Sequence, residues 1–166
     1  EDVESSDNVW QLTRARLPWL LIGLLGGLLG AKVIGIFDLE NNIELAFFIP
    51  LIAAMGGNVG VQSAAIVVQG LANESLKMDN IFRKLVKELG VGKLNGIICS
   101  LIILGAAFSL GYSMELSLTV SISLLAVIVF AAVFGTFIPL TLEKYKIDPA
   151  VATGPFITTV NDVLGL

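Results

Sequence analysis

Long apolar runs alternate with short polar intervals along almost the whole chain. A helix needs about 20 consecutive apolar residues to cross a bilayer's hydrocarbon layer, and runs of that length recur here. The pattern predicts helices at about 17–37, 45–72, 89–112, 117–142 and 150–166, after a juxtamembrane tail at 1–16 that is polar and acidic over 1–9 and basic and aromatic from Trp10 to Arg16. Pro18 suits the first turn of the first helix, where a missing N–H costs nothing. Gly23-x-x-x-Gly27 and Gly26-x-x-x-Gly30 in the first helix, and Gly92-x-x-x-Gly96 in the third, are small-residue seams that let backbones approach. The second run is long enough to tilt or break, with Pro50 and Gly56-Gly57 as the place. Between 73 and 88, the apolar positions Ile81, Leu85 and Val86 suggest a short interfacial helix. The fifth run falls short of a full span, so the native helix is expected to continue past Leu166.

Charge sharpens this picture into a topology. Arg14, Arg16, Lys77, Arg83, Lys84, Lys87, Lys144 and Lys146 all fall in the N-terminal collar and in every second loop; the two opposite loops carry no Lys or Arg. The positive-inside rule therefore places the N-terminus in the cytoplasm and starts the fifth helix there. Composition agrees: of 166 residues, 55% are hydrophobic and 14% charged, against about 45–50% and about 25% in soluble domains. The reading is an all-α membrane protein with five transmembrane helices per subunit, the fifth truncated, in the cell membrane. With most of the surface in lipid, the net charge of −4 says little about partners, and nothing points to nucleic acid. No cleavable signal peptide and no internal repeat is evident.

The chain has one Cys and no His. Cys99 sits in an apolar run and reads as an inert buried thiol. Sites for zinc, copper or nickel lean on imidazole and thiolate, whereas oxygen ligands suit Mg, Ca and Mn. A metal handled within this membrane segment is therefore expected to be a hard one. Asp162 supplies the chemistry, lying roughly 20 Å along the fifth helix at 1.5 Å per residue. An acid at that depth costs about 2.5–3.5 kcal/mol and ordinarily faces a polar cavity. Gly154, Thr158 and Asp162 share one face at successive i+4 steps; Thr159 and Asn161 join them as pore-lining candidates. Hydrogen bonding to a neighbouring helix is the plainer reading of Asp162, and Thr158 or Thr159 can bond back to its own helix.

A second polar constellation lies in the second helix, where Gly57 and Asn58 are followed by Gln62 and Gln69 on the face of Asn58. Two glycines before an amide would loosen the helix, which is tolerated at depth only under protein or beside water. Asn58 reads equally as an interhelical hydrogen bonder or as the lining of an ion path. Glu88 and Lys93 read as interfacial.

Gly56-Gly57-Asn58-Val59-Gly60-Val61-Gln62-Ser63-Ala64 resembles the G-G-N-x-G-x-Q-S signature of the MgtE-type magnesium channels. The resemblance extends to Arg16-Leu17-Pro18-Trp19, to Lys87-Glu88-Leu89-Gly90-Val91-Gly92 and to Asp148-Pro149-Ala150 through Asp162-Val163-Leu164-Gly165-Leu166. It implies a homodimeric pore domain over 17–166. In it the residue matching Asp162 holds hydrated Mg²⁺ near the two-fold axis, and the residue matching Asn58 lines the same path. Gly154 stands where family members can have Asn before the fifth-helix Pro. The family also usually carries cytosolic Mg²⁺-sensing domains, which this chain does not contain. Mg²⁺ is the transported ion here and no catalytic cofactor is expected. The function expected is voltage-driven Mg²⁺ uptake through a channel; the alternative is a secondary transporter exchanging Mg²⁺ for Na⁺ or H⁺. An intramembrane aspartyl hydrolase would need two acids where one convincing candidate exists, so no enzyme is expected. A purely structural membrane subunit is the remaining alternative.

Overall fold

The computed structural model describes residues 8–36, 43–73, 81–149, 153, 156, 157, 159 and 160, and all the regular structure among them is helical. The first helix, α1 (Val9–Ile34), starts earlier than the apolar pattern suggests. Asn8 accepts the Trp10 N–H at 3.0 Å, and the Gln11 side chain accepts the Asn8 N–H at 3.1 Å. This reciprocal cap satisfies otherwise orphaned donors and sets the start at Asn8, outside the membrane run. Pro18 consequently lies inside the helix rather than in its first turn.

A short helix, α2 (Ile43–Ala46), precedes α3 (Ile49–Ala72), and the break between them falls at Phe47 and Phe48. Pro50 sits in the first turn of α3, where its missing N–H removes no helical bond. The Gly56-Gly57 pair does not break the helix: α3 is continuous through the whole signature. The expected separate interfacial helix also proves to be the beginning of α4 (Ile81–Ser109). Gly111, at φ 92°, turns the chain after α4, a left-handed conformation that glycine adopts without penalty. Ser113 then caps α5 (Met114–Lys144) by accepting the Leu116 N–H at 3.2 Å. Three helices among the described residues, spanning Ile43–Ala72, Phe82–Ser109 and Met114–Lys144, are long and apolar enough to cross a membrane; Leu20–Ile34 is a shorter apolar helix.

The architecture is centred on α5, which packs against α4 on one side and α3 on the other. Its buried positions include Ser117, Val120, Ser121, Leu124, Ile128, Ala131, Ala132, Gly135 and Thr136, a stripe of small and medium side chains. In lipid there is little hydrophobic gain from joining two helices, so close packing of small residues has to supply the attraction. The α4 seam of Gly92 and Gly96 lies on Val129, Ala132 and Leu125 of α5. On the other side Gly135 meets Gly60 of α3 so closely that a Cβ on Gly135 would sit 2.9 Å from Gly60 Cα and 3.0 Å from its carbonyl carbon. Polar groups within these contacts mostly bond back to their own helix, as when Ser121 Oγ donates to the Ser117 carbonyl at 2.7 Å and Thr136 Oγ1 to the Ala132 carbonyl at 3.1 Å. An apolar cluster of the core lies at the α2 end, where Phe48, Ile52, Ala107, Val120 and Val127 pack together. Phe48 meets Tyr112 there edge to face at 5.2 Å.

Candidate functional site

The Gly-rich signature divides α3 into two faces. Ile52, Gly56, Gly60, Ser63, Ala64 and Val67 are buried, and the Gly60 contact ties this side to α5. Asn58, Gln62 and Gln69 are exposed. Gly57 has an open approach, with no heavy atom within 4 Å of where its Cβ would be. The three amides thus share an uncovered side of a helix long and apolar enough to cross a membrane. An amide within the hydrocarbon layer requires a hydrogen-bonding partner, whether water, an ion's hydration shell or another polypeptide. The glycines earn their place through the approach of α5 on one side and the open space beside Gly57 on the other, not through a broken backbone.

After α5, Lys146 adopts φ 58° and the chain turns back toward the bundle. Pro149 is buried, and Thr153, Phe156, Ile157, Thr159 and Val160 are helical. Thr153 Oγ1 donates to the Pro149 carbonyl, the back-bonding common for hydroxyl residues in helices. Ile157 is buried at 2% exposure. A cleft of about 280 Å³ between this segment and α3 is lined by Val61, Ala64, Ala65, Val68, Pro149, Thr153 and Ile157.

Thr159, a pore-lining candidate, bonds to a neighbouring helix: its Oγ1 donates to the Ile22 carbonyl of α1 at 3.4 Å. It rests on Gly26, where a Cβ would lie 2.6 Å from Thr159 Cβ. The first-helix glycine seam therefore receives the returning segment. Of the other candidates, Gly57 and Asn58 lie together on the open face of α3, whereas Gly154, Thr158, Asn161 and Asp162 fall outside the described residues. No group of three or more His, Cys, Asp or Glu side chains able to hold a metal occurs among the described residues.

One polar cluster goes beyond the sequence expectation. Glu88, expected to be interfacial, is 5% exposed. Lys84 Nζ lies 3.3 Å from Glu88 Oε1, and Ser63 Oγ of α3 donates to Oε2 at 3.3 Å. The carboxylate thus joins α3 to the start of α4. The Lys84-x-x-x-Glu88 spacing was visible as an i,i+4 pair, but the burial comes from Ser63, 25 residues earlier. A cavity of about 260 Å³ adjoins this cluster, with Gln62, Lys87 and Asn95 also in its lining.

Against known proteins, the MgtE family model, described as a divalent cation transporter, matches residues 49–166. The chain is similar to proteins named magnesium transporter MgtE from three bacteria. It is 35% identical to that of Bacillus subtilis over 168 residues, covering 100% of this chain and 37% of the relative. For Thermus thermophilus the identity is 34% over 154 residues, with 92% and 34% covered. For Enterococcus faecalis it is 34% over 165 residues, with 98% and 36% covered. The chain thus spans little more than a third of the length of these relatives.

Proposed function

This chain belongs to the MgtE family of divalent cation transporters, and from that premise we propose that it forms the Mg²⁺-conducting part of a homodimeric channel in the cell membrane. The observation that carries the reading is the open amide face of α3, with Asn58 exposed beside the unobstructed Gly57. A second copy facing it would enclose a polar path between two such faces. Closed two-fold dimers are the commonest assembly and bring identical residues together. Asp162 is the acid assigned to that path from the sequence. Gly154, Thr158, Thr159 and Asn161 are the accompanying positions; of these, Thr159 has the observed bond to α1 described above.

Mg²⁺ sheds water reluctantly and usually keeps several waters when bound. A path for it needs width and acceptors for those waters more than a tight cage. Carbonyl and amide oxygens such as that of Asn58 fit the role. Two copies of Asp162 across the axis would balance a divalent charge, and their mutual repulsion when no cation is present favours 2+ over 1+ ions. The N-terminus lies in the cytoplasm in this reading, and the membrane potential then supplies the inward drive. At about 2.3 kcal/mol per charge per 100 mV, a divalent ion gains about 4.6 kcal/mol without a coupling ion. Cytosolic Mg²⁺-sensing domains joined to this chain would regulate the flow.

Liposomes containing the full-length protein and a Mg²⁺-sensitive dye test the proposal. Under an imposed potential, with Na⁺ absent and pH equal on both sides, Mg²⁺ should enter. Asp162→Ala should lower that flux at least tenfold while the dimer persists. Flux that requires a Na⁺ or H⁺ gradient would establish exchange instead, and undiminished flux in Asp162→Ala would remove the acid from the path.

A further inference from the structure

We propose that the cavity between α3 and the start of α4 is a binding site for the phosphate headgroup of an anionic phospholipid. The inference goes beyond the ion path and rests only on the chain's membrane insertion. The cavity is about 260 Å³ and is lined on its polar side by Gln62, Ser63, Lys84, Lys87, Glu88 and Asn95.

Charge selects the class of ligand. Both Glu88 oxygens are engaged, one by Lys84 and the other by the Ser63 hydroxyl, each at 3.3 Å. That pairing neutralises the carboxylate and holds the Lys84 ammonium in place with donors to spare, since an ammonium carries three. Lys87 is exposed and forms no ion pair among the described residues. The site therefore carries a net positive charge, with amide and hydroxyl donors alongside. A divalent cation would meet two ammonium groups and would have to displace one of them to reach Glu88. A phosphate meets the opposite situation.

Depth selects a lipid over a free anion. With 29 residues, α4 is about 43 Å long at 1.5 Å per residue, about 13 Å more than the hydrocarbon thickness. Arg83, Lys84 and Lys87 all lie in its first two turns and its last turn has no basic residue, so the surplus falls at the Lys84 end, among the headgroups. Asn95 is about 16 Å further along the axis, below the headgroup level. The lining also includes Val59, Ile66 and Val91, and Ile66 and Val91 are 54% and 43% exposed. Cationic at headgroup depth, with Val59, Ile66 and Val91 giving it an apolar wall, the cavity suits an amphiphile with an anionic head. Basic pockets between membrane helices are known to take such headgroups.

Native mass spectrometry of the delipidated full-length protein tests this, with phosphatidylglycerol, phosphatidylcholine and inorganic phosphate as probes. Phosphatidylglycerol should bind in preference to phosphatidylcholine. Lys87→Gln should weaken it about fivefold, the worth of one lysine at an anionic surface. Lys93→Gln, an exposed α4 position outside the cavity, should leave binding unchanged. Glu88→Gln frees the Lys84 charge and should strengthen binding; Asp162→Ala should not alter it. Equal retention of the two lipids, equal effects of Lys87→Gln and Lys93→Gln, or full competition by inorganic phosphate would overturn the proposal. So would a cross-link from Lys87 to a second copy of the chain that excludes lipid.

Discussion

Replacing Gly135 by alanine puts one methyl group where α3 and α5 touch. Its Cβ would lie 2.9 Å from Gly60 Cα and 3.0 Å from the Gly60 carbonyl carbon. These are backbone atoms, which cannot swing aside as the end of a side chain can, so the two helices must move apart. Overpacking of this kind costs about 1–3 kcal/mol, and separation here also loosens the buried contacts of Ser63, Ala64 and Val67. Alanine recovers about 1 kcal/mol of helix propensity over glycine. With the clash at the upper end of its range, the net loss is about 2 kcal/mol. For a chain of this size that corresponds to a fall in Tm of about 4–8 °C. Gly57→Ala makes a matched control in α3, because nothing lies within 4 Å of its new methyl group; it should be neutral or raise Tm slightly. Thermal unfolding of the two purified variants in one detergent, followed by circular dichroism, measures the difference. A Gly135→Ala protein as stable as Gly57→Ala would refute the close-crossing argument.

The remaining predictions concern α1 and the buried carboxylate. Gly26→Val should drive α1 off the returning segment, because even one Cβ there would press on Thr159; loss of disulfide cross-linking between Ile22→Cys and Thr159→Cys measures the separation. Thr159→Ala removes only one long hydrogen bond to α1, so it should cost less than about 1 kcal/mol and preserve docking of the segment, as read by protease resistance. Lys84→Met should destabilise the protein by about 3 kcal/mol by leaving Glu88 buried without its cation, whereas Lys84→Met combined with Glu88→Met should recover most of that loss. Reversible unfolding in a denaturing detergent compares the two.

The helical class and the three long apolar helices among the described residues were legible because lipid imposes a long apolar period on any helix that crosses it. The starts of helices were harder to read, since they depend on polar residues outside those runs. Asn8 and Gln11 start α1 by hydrogen bonding, and nothing in the hydropathy between 81 and 88 separates an interfacial helix from the first turns of α4. The glycines after Pro50 suggested a break that α3 does not have; the approach of α5 is at Gly60, one turn after Gly56, while Gly57 faces open space. Neither the Gly60–Gly135 crossing nor the burial of Glu88 could be read locally, as each depends on a partner far along the chain. Gly57 and Asn58 were legible as candidates because polar and glycine positions stand out within an apolar run, and the structure leaves their side of α3 open.

The meeting of Gly60 and Gly135 limits how α3 can move. With no side chain at either position, the two backbones meet directly there, a point of close approach within the longer α3–α5 contact about which the helices can rock. Turning or sliding α3 is another matter, because a turn about its axis would bring Val59 or Val61 toward Gly135 and a slide of one helical turn would bring Ala64 onto it. Rearrangements of the Asn58 face are thereby channelled into tilting, with the shared contact as fulcrum and the ends of α3 travelling farthest.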